Sequence, residues 1–183
     1  LITGGAGFIG AALVAEALAR GYRVVVLDKL TYAGHTANLA RLDCMLIVGD
    51  VADDALVRSL FAEHDFMGVI HAAAESHVDN SITGSAPFIH TNITGTHVLL
   101  EAARNAWKDD KNRRYLQVST DEVYGALGES GHFTLDTPLA PNSPYAASKA
   151  SADLLVRAWH NTHGLNTVIT RCCNNYGPRQ HRS

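Results

Sequence analysis

Four side chains in two short stretches carry the means for proton transfer. Tyr145 and Lys149 stand four residues apart in Ser-Pro-Tyr-Ala-Ala-Ser-Lys, and Asp121 and Glu122 are neighbours in Ser-Thr-Asp-Glu-Val-Tyr-Gly. On a helix, positions i and i+4 share a face, so the Lys149 ammonium would sit near the Tyr145 phenol and lower its pKa. Oxidation of an alcohol to a ketone needs such a base for the hydroxyl proton while hydride leaves carbon. Asp121 and Glu122 add a second acid/base couple, which suits removal of water from a sugar once a ketone has acidified the neighbouring C–H. The expectation is oxidation, elimination and reduction at one site. Blander readings stand beside it: a solvated strand end for the acid pair, and an ordinary amphipathic helix pair for Tyr145 and Lys149.

A dinucleotide signature opens the chain. Thr3-Gly4-Gly5-Ala6-Gly7-Phe8-Ile9-Gly10 fits Gly-x-Gly-x-x-Gly from Gly5 and Gly-x-x-Gly-x-x-Gly from Gly4. Alone it could be a plain tight turn. An apolar run leads in and an Ala-rich helical segment leads out, the context in which backbone amides and a helix N-terminus receive a pyrophosphate. Asp28 follows Gly10 by 18 positions, where a carboxylate binds ribose hydroxyls and disfavours the extra phosphate of NADP. Lys29 could soften that preference; NAD is the expected cofactor. Asp50 closes a third strand and could reach the adenine amino group. Ala72, Ala73, Ala74 and Glu75 close a fourth, where small residues let a cofactor lie close. His71 reads as a packed strand residue. The other nine histidines lack metal-ligand spacing and read as mostly surface, so no metal is expected.

Apolar runs and helical segments alternate around these motifs. Strands are expected at Leu1–Thr3, Arg23–Leu27, Met45–Val48, Gly68–His71, Tyr115–Ser119 and Thr167–Thr170. Short, continuous and Val/Ile/Leu-rich, most suit strands buried on both faces. Helices are expected at Phe8–Arg20, Asp53–His64, Ala86–Trp107 and Pro144–His163, with Gly21 and Gly164 at C-caps. The pattern predicts a Rossmann-like α/β fold, a doubly wound parallel sheet with helices on both faces, across one domain of residues 1–183. Gly125–Ser143 reads as a long loop bordering the active site.

Composition narrows the class. With 46% hydrophobic and 18% charged residues the chain reads as globular. A net charge of −3 offers no basic stripe for nucleic acid. No apolar run approaches the roughly 18 residues of a membrane span. Three cysteines, two of them adjacent, do not suggest a disulfide framework; they read as buried small hydrophobes in a reducing cytoplasm.

Together these motifs resemble the extended short-chain dehydrogenase/reductase superfamily, and within it the dTDP-glucose 4,6-dehydratases. The resemblance runs nearly end to end through TGGAGFIG, DKLTYAG (Asp28–Gly34), AAESHVD (Ala73–Asp79), TNITGT (Thr91–Thr96), STDEVYG, SPYAASKA (Ser143–Ala150) and NNYGP (Asn174–Pro178). Thr120-Asp121-Glu122 selects the reaction. It implies that Tyr145, assisted by Lys149, takes the C4 hydroxyl proton while hydride passes to NAD. Glu122 would then remove the C5 proton and Asp121 protonate the departing C6 hydroxyl, before hydride returns to C6. Thr120, Ser76 and Asn174 would contact the sugar of dTDP-glucose. NAD contacts would include Gly4, Gly7, Phe8, Ile9 and Gly10, then Lys29, Leu30 and Thr31 beyond Asp28. Val51 beside Asp50, Thr91, Asn175, Tyr145 and Lys149 would complete them. Ser76 and Thr91 could instead cap helices, and Asn174 and Asn175 form a turn. The family continues into a smaller substrate lobe, so the chain is expected to be a truncated piece of a homodimeric enzyme, with exposed apolar surface where that lobe would pack. Another nucleotide-sugar epimerase or decarboxylase of the superfamily, or a non-catalytic NAD-binding fragment, remains the alternative.

Overall fold

Short β-branched runs and amphipathic helices alternate along the chain, and the computed structural model, which describes residues 1–108 and 110–180, assembles them into one parallel sheet. The strands are β1 (Ile2–Thr3), β2 (Val25–Asp28), β3 (Met45–Val48), β4 (Gly68–His71), β5 (Arg114–Thr120) and β6 (Thr167–Cys172). The helices are α1 (Phe8–Ala19), α2 (Asp54–Glu63), α3 (Val78–Thr83), α4 (Ala86–Phe88), α5 (Gly95–Trp107) and α6 (Pro144–His163). Strand order is β3-β2-β1-β4-β5-β6. The order reverses between β1 and β4, and ligands bind such sheets at the carboxyl ends beside that reversal.

Strand pleating divides the core in two. Leu27, Val69 and Tyr115 pack with Val57, Leu60, Leu99, Leu100 and Val156 of α2, α5 and α6. Their neighbours Val26 and Ile70, with Ile2, pack with Ala11 and Val14 of α1. On the α1 face Leu116, Val118 and Val168 of β5 and β6 are only half-buried. Leu135 and Tyr176 are about nine-tenths exposed, at 90% and 92%. Among the described residues, no helix is long and apolar enough to cross a membrane.

Helix ends follow their caps. Asp53 accepts the Leu56 amide at 3.0 Å and starts α2. Ser143 accepts the Ala146 amide at 3.0 Å, Pro144 follows, and Gly164 ends α6 at φ +65°. The expected helix 86–107 is instead interrupted by a π-helical stretch, Ile89–Thr94, with buried Asn92 inside it. Helix α3 was not expected. It is held by tertiary contact, Ser81 accepting the Tyr145 amide at 3.2 Å. Residues 125–143 are irregular as expected, yet they do not border the cleft described below. Phe133 stacks on Tyr124 of the 3₁₀ turn Asp121–Tyr124, with ring centroids 5.1 Å apart. No disulfide is present among the described residues; Cys44 and Cys172 are half-buried, but Cys173 is exposed, contrary to the buried reading, because it follows the last strand residue. His181 lies outside the described residues.

Candidate active site

Every loop at the carboxyl edge of the sheet opens into one cleft of about 590 Å³, within the size range of small-molecule sites. The glycine turn forms its floor beside β1. Gly4 adopts φ +69°, and a Cβ there would meet the Ala73 backbone at 2.7 Å. A Cβ on Gly10 would collide with the Gly4 carbonyl oxygen. Helix α1 begins at Gly7 with no side-chain cap and no acidic residue in its first turn. Its amide end is thus left to face an anion. Gly4, Gly7, Phe8, Ile9 and Gly10 all line the cleft.

Beyond β2, Asp28 is 8% exposed, and each of its carboxylate oxygens accepts one backbone amide. Its Oδ2 accepts the Ala6 amide and its Oδ1 the Leu30 amide, both at 2.8 Å. The carboxylate therefore ties the glycine turn to its own loop. Lys29 and Thr31 line the cleft with Asp28. Leu30 does not: at φ +55° its side chain packs beside the α1 core. At the end of β3, Asp50 and Val51 line the cleft. Asp50 accepts from Lys29 Nζ at 2.6 Å and from the Ala52 amide at 2.9 Å. Burial opposes ionisation of Asp50, but these hydrogen bonds and the Lys29 charge outweigh it and hold the carboxyl below its ordinary value.

At the end of β4, residues Ala72–Ser76 line the cleft, as does Thr91. His71 behind them is 1% exposed and kept neutral, its pKa pulled down to about 3 by burial and by the Lys149 charge. Thr96 gives its hydroxyl proton to the Asn92 carbonyl at 2.7 Å, so His71 Nε2 donates to Thr96 at 3.1 Å. Thr3 then donates to His71 Nδ1 at 2.7 Å and accepts the Ala73 amide at 3.2 Å. Asn92 extends the chain. Its side chain takes both polar groups of the Glu75 main chain, accepting from N at 2.9 Å and donating to O at 3.0 Å. It also donates to Ser148 Oγ at 2.8 Å, and Ser148 donates to the Tyr145 carbonyl at 2.7 Å. β1, β4 and α6 are thereby joined through buried hydrogen bonds. Asn92 and Ser148 were not singled out as site residues, although both lie inside quoted motifs; only the folded partners show their use.

The opposite wall of the cleft comes from β5, the Asp121–Tyr124 turn and α6. Thr120, Glu122, Tyr145 and Lys149 line the cleft together. Asp121 does not line it. It is half-buried beside the wall, with Oδ1 3.4 Å from the Thr120 hydroxyl. Burial, then the Asp121 charge, raises the Glu122 carboxyl. Tyr145 is pushed up to about 12 by burial and the Glu122 charge, with the Thr120 hydroxyl working the other way. Lys149 is pulled down to about 8 by burial, Asp153 and Cys172 opposing. Its Nζ donates to the Val118 carbonyl at 2.7 Å. The expected lowering of the Tyr145 pKa by Lys149 is therefore not found: desolvation and the carboxylates of the adjoining turn dominate the phenol. Behind Lys149, buried Asp153 pairs with Arg171 at 2.8 Å, and Arg171 donates to Tyr124 Oη at 2.8 Å. That bridge ties α6, the acidic turn and β6. Cys172, Cys173, Asn174 and Asn175 complete the lining.

Among the described residues, no group of three or more His, Cys, Asp or Glu side chains could hold a metal ion. Residues 1–183 match the family model described as GDP-mannose 4,6 dehydratase. The chain is 57% identical to a dTDP-glucose 4,6-dehydratase of Xanthomonas campestris pv. campestris, over 97% of this chain and 53% of that protein. It is 51% identical to dTDP-glucose 4,6-dehydratase 1 of Escherichia coli K12, over 97% and 55% respectively. Among solved structures, the dTDP-glucose 4,6-dehydratase DesIV of Streptomyces venezuelae, crystallised with NAD, matches with a TM-score of 0.90 at 50% identity, over 98% of this chain and 57% of that one. The UDP-glucose 4-epimerase of Thermus thermophilus, also complexed with NAD, matches with a TM-score of 0.90 at 35% identity, over 98% and 56%. The chain spans about half the length of the curated relatives it matches.

Proposed function

The chain belongs to the GDP-mannose 4,6 dehydratase family, and from that footing we propose that it is the NAD-binding and catalytic part of a dTDP-glucose 4,6-dehydratase. The supporting observation is that Thr120, Glu122, Tyr145 and Lys149 share one cleft with the glycine turn and Asp28. Backbone likeness alone does not choose the reaction, since a dehydratase and an epimerase match equally well. The acid pair Asp121-Glu122 and the higher identity to dehydratases favour elimination.

The residues present fit NAD. The uncapped start of α1 suits a pyrophosphate, and Gly4 and Gly10 leave the close-packed turn on which it would rest. Each Asp28 oxygen takes one backbone amide, which leaves lone pairs for the hydroxyls of a ribose. When bound, NAD would supply the acceptor for hydride from sugar C4 and its return to C6. Tyr145 would take the C4 hydroxyl proton. Because burial holds its phenol near 12, it needs a cation close by in the working state. Lys149, protonated at neutral pH, is that cation once its Nζ leaves the Val118 carbonyl. Glu122, its carboxyl raised above its ordinary value by burial and the Asp121 charge, suits abstraction of the C5 proton made acidic by the C4 ketone. Asp121, beside the wall, would give the C6 hydroxyl its proton from the rim. Thr120, Ser76 and Asn174 would hold the sugar. In this reading the remaining half of the full-length protein grips the nucleotide, and the whole works as a cytoplasmic homodimer.

Incubating the full-length protein with dTDP-glucose tests the proposal. A 4-keto-6-deoxy sugar nucleotide is the expected product, and Tyr145→Phe should abolish it. A C4-epimerised hexose with its C6 hydroxyl retained would establish the epimerase reading instead.

A further inference from the structure

The strand ends β2 and β3 carry a charge cluster that the dehydration chemistry does not use. Lys29 directly follows Asp28, and a basic group at that place ordinarily welcomes the 2′-phosphate of NADP. Here its ammonium is turned aside. Lys29 Nζ lies 2.6 Å from Asp50 Oδ2, and His90 Nε2, from the π-helical stretch, lies 3.3 Å from the same oxygen. Asp50 cannot follow either partner outward, because its Oδ1 is held by the Ala52 amide at 2.9 Å. Its side chain is 22% exposed, against 56% for Lys29 and 54% for His90. The fixed carboxylate is therefore the anchor, and the exposed Lys29 ammonium is the part that swings. Its depressed pKa, in which hydrogen bonds from Lys29 and Ala52 outweigh burial, keeps it charged at neutral pH.

Resting on the dinucleotide site proposed above, we infer that Asp50 is a specificity-determining residue: by holding Lys29 on its own carboxylate, it withholds that ammonium from a 2′-phosphate at the Asp28 end of the cleft. Discrimination against NADP then has two sources. Asp28 repels the phosphate, and Asp50 sequesters the Lys29 ammonium that would offset that repulsion. Losing only Asp28 would leave the second in place.

Equilibrium titration of NAD and of NADP into the chain and into Asp50→Asn tests this. The asparagine carboxamide can still accept the Ala52 amide, so the loop keeps its anchor. Any contact of this side chain with the adenine affects both cofactors alike and cancels in the ratio Kd(NADP)/Kd(NAD). The ion pair is solvent-exposed, so the ratio should fall by about two- to fivefold in Asp50→Asn. Adding Lys29→Met should return most of that change, and raising salt to about 0.5 M should shrink it. An unchanged ratio in Asp50→Asn, with NAD still bound, overturns the inference and leaves the dinucleotide site standing. Failure of the unmodified chain to bind NAD overturns both.

Discussion

Replacing Asn92 by alanine should cost the fold far more than the loss of one small polar side chain suggests. Asn92 is 1% exposed and makes three hydrogen bonds, two to the Glu75 main chain and one to Ser148 Oγ. Each neutral bond contributes about 0.5–1.5 kcal/mol net, and a partner left buried without one costs about 1–3 kcal/mol. Glu75 is only half-buried, so water can recover part of its loss. Ser148 keeps its bond to the Tyr145 carbonyl at 2.7 Å. The expected destabilisation of Asn92→Ala is therefore about 2–4 kcal/mol. Urea unfolding would read it as a midpoint lowered by about 1–2 M. Ser148→Ala should cost about 1 kcal/mol, and the double variant should fall short of the sum by about as much, since the two share a bond. Amide exchange at Glu75 should accelerate in Asn92→Ala. A cost below about 0.5 kcal/mol, or strict additivity, would refute the claim that Asn92 joins the loop after β4 to helix α6.

Two further outcomes follow from the site. In the full-length enzyme, Asp121→Asn should slow turnover of dTDP-glucose by about a hundred- to ten-thousand-fold, as loss of a general acid does. A 6-fluoro analogue, whose leaving group needs less help from a proton, should be slowed much less; equal slowing would make Asp121 a positioning group. Lys149 has a pKa near 8 in the folded chain against 10.5 ordinarily. Between those values the unfolded chain binds more protons than the folded one, so this group makes stability rise with pH. At pH 7 it is charged in both states and its burial weakens the fold. The stability advantage of Lys149→Met over the original should thus be largest near pH 7 and shrink toward pH 10, as read by urea midpoints; a constant difference would contradict a buried ammonium.

Elements stabilised by local rules were legible in the sequence. The strands Met45–Val48 and Gly68–His71 and the helix Pro144–His163 lie where the apolar runs and caps put them. Asp53 and Ser143 announce their helices because the cap is a bond between near neighbours. What was not legible depends on partners distant in sequence. The π-helical stretch follows from Asn92 reaching back 17 residues to Glu75 and forward 56 to Ser148. Helix α3 rests on Ser81 meeting the Tyr145 amide 64 residues away. The Tyr145–Lys149 spacing was plain. The electrostatics were not, since the Val118 carbonyl that takes the Lys149 ammonium belongs to another strand. Nor does any local pattern separate Leu30, turned into the core, from Lys29 and Thr31 on the cleft. Asp121 and Glu122 were read as a pair, but the tight 3₁₀ turn brings only Glu122 onto the wall.

The central claim, elimination between two hydride transfers at one site, is tested most directly by following hydrogen from C4. The full-length enzyme would be given dTDP-glucose deuterated at C4, in ordinary water, and the product examined by NMR and mass spectrometry. The dehydratase account predicts a 4-keto-6-deoxy product with the deuterium at C6 and a solvent hydrogen at C5. Deuterium returned to C4 of an intact hexose, or lost to solvent, would contradict it.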